Sequence, residues 1–124
     1  LHALQPEDMM YLIKSGVTDD YTMGYADIAG FRLGTCRAVK WINPTTKKLT
    51  KLTLHPLTVM DCTLSNDNYM NLNYVDALHY VKDLLLKTKK HGGEVVLLWH
   101  NTAISDSLSY HKKLYEEVIK LLAQ

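Results

Sequence analysis

The sequence predicts an α/β fold in which a β-hairpin is followed by a β–α–β–α unit. Three observations carry that expectation. Two strand-like runs, Thr35 to Ile42 and Leu49 to Leu54, flank a polar Asn-Pro-Thr-Thr-Lys-Lys turn. Apolar residues then recur at helical spacing from Tyr74 to Leu85, giving a helix with one buried face. Short apolar runs bracket that helix, Leu57 to Met60 before it and Val95 to Trp99 after it. Strand, crossover helix and strand in that order imply a parallel pair with a right-handed connection. At 124 residues the chain, 1–124, is a single domain or a fragment of one.

Taken in order, Pro6 suits a first helical position, and Glu7 and Asp8 sit where the helix dipole favours acids. Met9, Met10, Leu12 and Ile13 supply an apolar side and Gly16 a stop, so a helix is expected over about residues 6–15. Thr18 to Asp20 reads as a polar turn, and Tyr21 to Phe31 as short strands with close backbone approach. Asn43 and Pro44 punctuate the hairpin turn, and Leu-Thr-Lys-Leu-Thr-Leu alternates as a half-buried strand does. Ser65 to Asn71 is loop-like. Asn73 or Asn71 is placed to cap the helix from Tyr74 to Lys90, which Gly92 and Gly93 end. A last helix is expected from about Leu108 to Leu122, with Leu114, Val118, Leu121 and Leu122 on one side.

Composition narrows the function classes. An apolar fraction of 47% with 22% charged residues is a globular balance. A net charge of +1, with the two signs interspersed, gives no nucleic-acid footprint. Lys87, Lys89, Lys90 and His91 form one basic cluster, as a helix C-terminus favours. No apolar stretch is long enough to span a membrane, and the start lacks the pattern of a secretory signal. Cys36 and Cys62 are too few for a disulfide scaffold and lack CxxC spacing. They read as small buried side chains, with one disulfide as the alternative. The chain opens on Leu1 rather than Met, so an upstream extension is expected.

Asp61 and His100 each directly follow a buried strand and precede a helix. In a parallel sheet or barrel, residues at the C-terminal ends of strands converge on one face, where active sites lie. There a carboxylate can hold an imidazole as an acid–base pair, although both can equally cap loops. Arg32 and Arg37 lie among small and apolar neighbours and each calls for a carboxylate or an anionic ligand. Trp41 and Trp99 are core residues that can also stack on a sugar ring. With His55 and Asn101 they complete the candidate substrate contacts. There is no GxSxG elbow to recruit Ser105, Ser107 or Ser109, no glycine-rich phosphate loop, and no HExxH or HxxxH metal pair.

With these residues in view, the chain resembles the C-terminal half of a polysaccharide deacetylase-like domain. This is the NodB-homology group, carbohydrate esterase family 4, in its Bacteroidetes-type branch. The segments TMGYADIAGFRLGTCRAVKW, LHPLTVMDCTL and LLWHN occur in the family's order, although Trp99 stands where the wider superfamily has Leu. The resemblance runs from about Asp19 to Leu122. It implies part of a distorted (β/α) barrel from a bacterial hydrolase of carbohydrate metabolism, one that removes N- or O-acetyl groups from a glycan with a divalent metal, zinc or similar. His100 matches the general acid, Asp61 the carboxylate supporting it, and Arg32 the arginine that orients the base aspartate, with Arg37 as the second assignment. The family's metal ligands and base belong to an upstream half, so this chain alone is expected to be inactive and to self-associate or pack against that half. The compartment is left open. A non-catalytic glycan-binding or structural relative of the barrel is the alternative.

Overall fold

The computed structural model describes residues 5–105 and 110–124, and shows a mixed α/β chain with two small sheets and five helices. The first helix, α1 (Pro6–Lys14), starts as its sequence predicts. Pro6 opens it, and the Asp8 carboxylate accepts a hydrogen bond from the Gln5 N–H at 2.9 Å.

Strands β1 (Asp19–Asp20), β2 (Val39–Asn43) and β3 (Lys48–Leu54) make the first sheet, in the order β1-β3-β2. The hairpin pairs Val39 with Leu54 and Asn43 with Lys48, with an irregularity between Lys40 and Ile42. Asn43 shapes its turn by accepting the Thr45 N–H at 2.9 Å, and Lys47 takes a positive φ of 59°. Instead of a polar turn, Asp19 and Asp20 run parallel to the end of β3. The strands expected between Tyr21 and Phe31 are absent. That segment runs irregularly over β3 and β4, close enough that a Cβ on Gly24 would stand 2.6 Å from the Leu57 side chain. The Thr35–Ile42 strand likewise begins only at Val39, because residues 32–37 turn instead.

The second sheet is the expected parallel pair, β4 (Val59–Met60) with β5 (Leu97–Leu98), Val59 opposite Leu97 and Met60 opposite Leu98. Between them lie α2 (Asp61–Ser65) and the crossover helix α3 (Tyr74–Lys90). Asn73 caps α3, its side-chain oxygen accepting the Asp76 N–H at 2.9 Å. After β5 come α4 (Asn101–Ser105) and α5 (Tyr110–Leu122). Leu108, expected to open the last helix, lies outside the described residues, as do Ser107 and Ser109.

Two cores hold these elements. Ala77, Val81 and Leu84 of α3 meet Leu114 and Val118 of α5 over Val59 and Leu64. Met9 of α1 meets Leu52 and Leu54 of the hairpin with Met23. Cys36 is buried and Cys62 half-buried, and both are free thiols, so the disulfide alternative is not realised. No helix among the described residues is long and apolar enough to cross a membrane.

Candidate active site

The parallel pair sets Asp61 and His100 side by side, as two residues that leave neighbouring strands at the same end must be. Asp61 opens α2 and is completely buried, while the His100 side chain is half-exposed. The His100 ring Nδ1 lies 2.7 Å from Asp61 Oδ1, and the His100 backbone N–H donates to Oδ2 at 2.9 Å. The Cys62 N–H donates to Oδ1 at 2.8 Å. Burial alone would raise the Asp61 pKa. The His100 backbone and ring and the Cys62 N–H outweigh it, and the carboxyl titrates below its ordinary 3.8. An ionised carboxylate only accepts, so Nδ1 carries the proton and the neutral ring presents its lone pair at Nε2. Among the described residues Nε2 has no hydrogen-bond partner, which leaves it toward solvent for proton transfer.

Cys62, not anticipated in this role, brings its Sγ to 3.7 Å from His100 Nδ1. Burial first, and then the Asp61 charge, push its thiol pKa upward, so it stays protonated and is no nucleophile. Asp61, Cys62 and His100 offer three donor atoms within 4.8 Å of one another, a conceivable cation site. The fit is poor. Two ligands on one tetrahedral zinc stand roughly 3.3 Å apart, given bonds of ~2.0–2.1 Å. At 2.7 Å, Nδ1 and Oδ1 share a proton instead.

His55 sits elsewhere. It is buried at the end of β3, with Nδ1 2.7 Å from Glu94 Oε2, Nε2 2.7 Å from Asp19 Oδ1, and Tyr21 stacked on it at 4.3 Å. Both ring nitrogens are engaged within the fold rather than offered to a ligand. Glu94 and Asp19 were not singled out by sequence reasoning, since 39 and 36 residues separate them from His55. Burial would lower the ring's pKa, but the two carboxylates carry it above 6.5. A raised folded value means that the stabilisation is complete below 6.5 and disappears as pH climbs through the folded pKa. The melting temperature is therefore expected to fall on going from mildly acidic to alkaline buffer, and His55→Gln to flatten that slope. Equal slopes in the two chains would contradict the ion-paired ring.

The remaining candidates are dispersed. The Arg32 guanidinium lies 5.7 Å over the Tyr25 ring, with Nη1 3.4 Å from the Gly24 carbonyl. Arg37 is exposed and donates from Nε to the His91 carbonyl at 2.8 Å, at the far end of α3 from Asp61. Trp41 packs on the hairpin core. Trp99 is half-buried beside Tyr115 and donates its Nε1–H to the His111 carbonyl at 3.1 Å. Asn101 is exposed at the start of α4, where its side chain accepts the Thr102 N–H. Comparison with known proteins adds nothing to this geometry: no family model, curated protein or solved structure matches the chain.

Proposed function

We propose that the chain is the C-terminal part of a metal-dependent carbohydrate deacetylase, in which His100 is the general acid and Asp61 its positioning carboxylate. The observation that carries this reading is the 2.7 Å contact between a fully buried Asp61 and a His100 whose outer nitrogen stands open. Once protonated, Nε2 can hand its proton to the departing sugar amine or hydroxyl as the acetyl carbon–heteroatom bond breaks. Asp61 keeps the ring oriented and balances the imidazolium charge throughout. The Asp61 carboxylate also accepts from the His100 backbone N–H, which fixes the main chain from which the ring extends.

A divalent metal, zinc or similar, would polarise the acetyl carbonyl and lower the pKa of the attacking water when bound. Its ligands are proposed to lie in the upstream half of the same protein rather than in the Asp61–Cys62–His100 group. In this reading the parallel pair and its two packed helices form one sector of a distorted barrel. Ile42 and Leu49, opposite each other on the hairpin, are 54% and 68% exposed, which fits a surface that other chain covers.

The test is acetate release from acetylated chito-oligosaccharide and acetylated xylan by the full-length protein, with and without chelation. Metal-dependent release that falls by ~10²–10⁴-fold in His100→Ala is expected, the usual worth of a general acid. Glycan binding without acetate release would favour the non-catalytic relative.

A further inference from the structure

One cleft gathers basic side chains. It measures about 780 Å³ and lies between the segment from Ala29 to Arg37 and the last turns of α3. Arg37, Lys87, Lys90 and His91 line it, together with the Phe31 and Tyr80 rings, and among the described residues no Asp or Glu does. In a chain with 14 Lys and Arg against 13 Asp and Glu, such a lining is a local excess of positive potential. The dipole of α3 accounts for lysines at its C-terminus. It does not account for Arg37, which comes from the loop before β2.

Arg37 is held ready. Its Nε donates to the His91 carbonyl at 2.8 Å, which orients the planar guanidinium. Among the described residues that is the one hydrogen bond its guanidinium makes, so both terminal amines remain to fork onto an oxyanion. Lys90 has no carboxylate partner among the described residues. Lys87 meets Asp83 at 2.8 Å, but both side chains are more than 60% exposed, so the pair is easily exchanged for a ligand. Gly92, adjacent to His91, lets Arg37 pack closely against the backbone: a Cβ there would stand 3.2 Å from Nη2.

The cleft is not the proposed catalytic face. Gly30 donates to the carbonyl of Thr58, just before β4, and Glu94, ahead of β5, donates to the carbonyl of Cys36. Asp61 and His100 follow the same two strands. The cleft therefore lies toward the strands' starts and the catalytic pair at their ends.

We propose that this cleft binds an anionic ester, a phosphate or sulfate carried on a sugar-sized ring, with Arg37 and Lys90 on the anion and Tyr80 and Phe31 against the ring. The site is a second one, separate from the acetyl-cleaving pair, and stands whether or not that pair is catalytic. Calorimetric titration at low salt with glucose 6-phosphate, glucose 6-sulfate and glucose tests it. Saturable binding of one or both esters but not of glucose is expected, weakening with added salt. The tighter ester identifies which anion the site prefers. Arg37→Gln should weaken binding ~10-fold or more, and Lys90→Gln severalfold, as lost charge-assisted hydrogen bonds do. His100→Ala should leave it unchanged. Lys90→Gln alters an exposed side chain and decides the matter if Arg37→Gln does not fold. No binding of either ester by ~10 mM, a range corresponding to under 3 kcal/mol, would overturn the proposal. So would equal binding of glucose, or ester affinity unaltered by loss of the cations.

Discussion

Replacing Gly93 with alanine is expected to cost about 3 kcal/mol or more, more than the same change at the other glycines. A Cβ at this position would stand 2.3 Å from Cys36 Sγ and 2.6 Å from the Cys36 carbonyl oxygen. A side chain could rotate away, but the carbonyl is fixed. It accepts the Glu94 N–H at 2.9 Å and so ties the loop before β2 to the approach to β5. Forcing the two apart breaks that bond, moves Glu94 away from His55, and shifts Arg37 beside its cleft. Thermal unfolding measures the effect, and a drop of roughly 10 °C is expected from the usual conversion for a domain of this size. Gly16→Ala is the comparison. There a Cβ meets nothing and only the positive φ of 87° opposes it, so about 1 kcal/mol is expected. Equal losses in the two variants would contradict the close approach at Cys36.

The second large effect is expected at Asp61. Each of its oxygens faces a backbone donor, the Cys62 N–H on Oδ1 and the His100 N–H on Oδ2. Asp61→Asn keeps the shape but turns one acceptor into an NH₂ group. Whichever way the amide is turned, it faces one backbone N–H with another donor, at a cost of about 1–3 kcal/mol. With the NH₂ on the Oδ1 side, the His100 ring must accept at Nδ1 and carry its proton on Nε2. In the proposed deacetylase, acetate release is then expected to fall by ~10²–10⁴-fold, because Nδ1, accepting from the amide, no longer takes a proton and the ring loses its imidazolium, the acid form. His100→Ala should behave differently. Both backbone donors keep their partner, so its melting temperature stays near that of the parent. The depressed Asp61 pKa gives this stabilisation a pH sense: it is present above the ordinary 3.8 and is lost as pH falls through the folded value.

Much of this arrangement was legible in the sequence. The period from Tyr74 to Leu85 placed α3, Asn73 and Asn71 were its two candidate caps, and the two apolar runs around it gave the parallel pair. That pair sets Asp61 and His100 at the same end of neighbouring strands, but the sequence alone leaves open whether they meet or only cap their loops. The strands were overextended, however. Val95 to Trp99 reads as five strand residues, yet only Leu97 and Leu98 pair, because β4 is itself two residues long. Helices α2 and α4, five residues each, are too short to show a period against the loops around them. Tyr21 to Phe31 carries strand-forming residues, but packing against Leu57 and a hydrogen bond from Thr63 to the Ala26 carbonyl set its path instead. The ion pairs of His55 and the approach of Gly93 to Cys36 join distant segments. No local pattern reports them.

The Asp61 carboxylate fixes His100 with its proton on Nδ1 and its lone pair on Nε2. A long-range ¹H–¹⁵N correlation spectrum of the imidazole rings at neutral pH reads this directly. The Nδ1–H tautomer is predicted for the neutral His100 ring in the parent chain, and an Nε2–H form gained in Asp61→Asn marks the amide turned with its NH₂ toward Nδ1. An Nε2–H tautomer in the parent chain, unmoved by Asp61→Asn, would contradict the account.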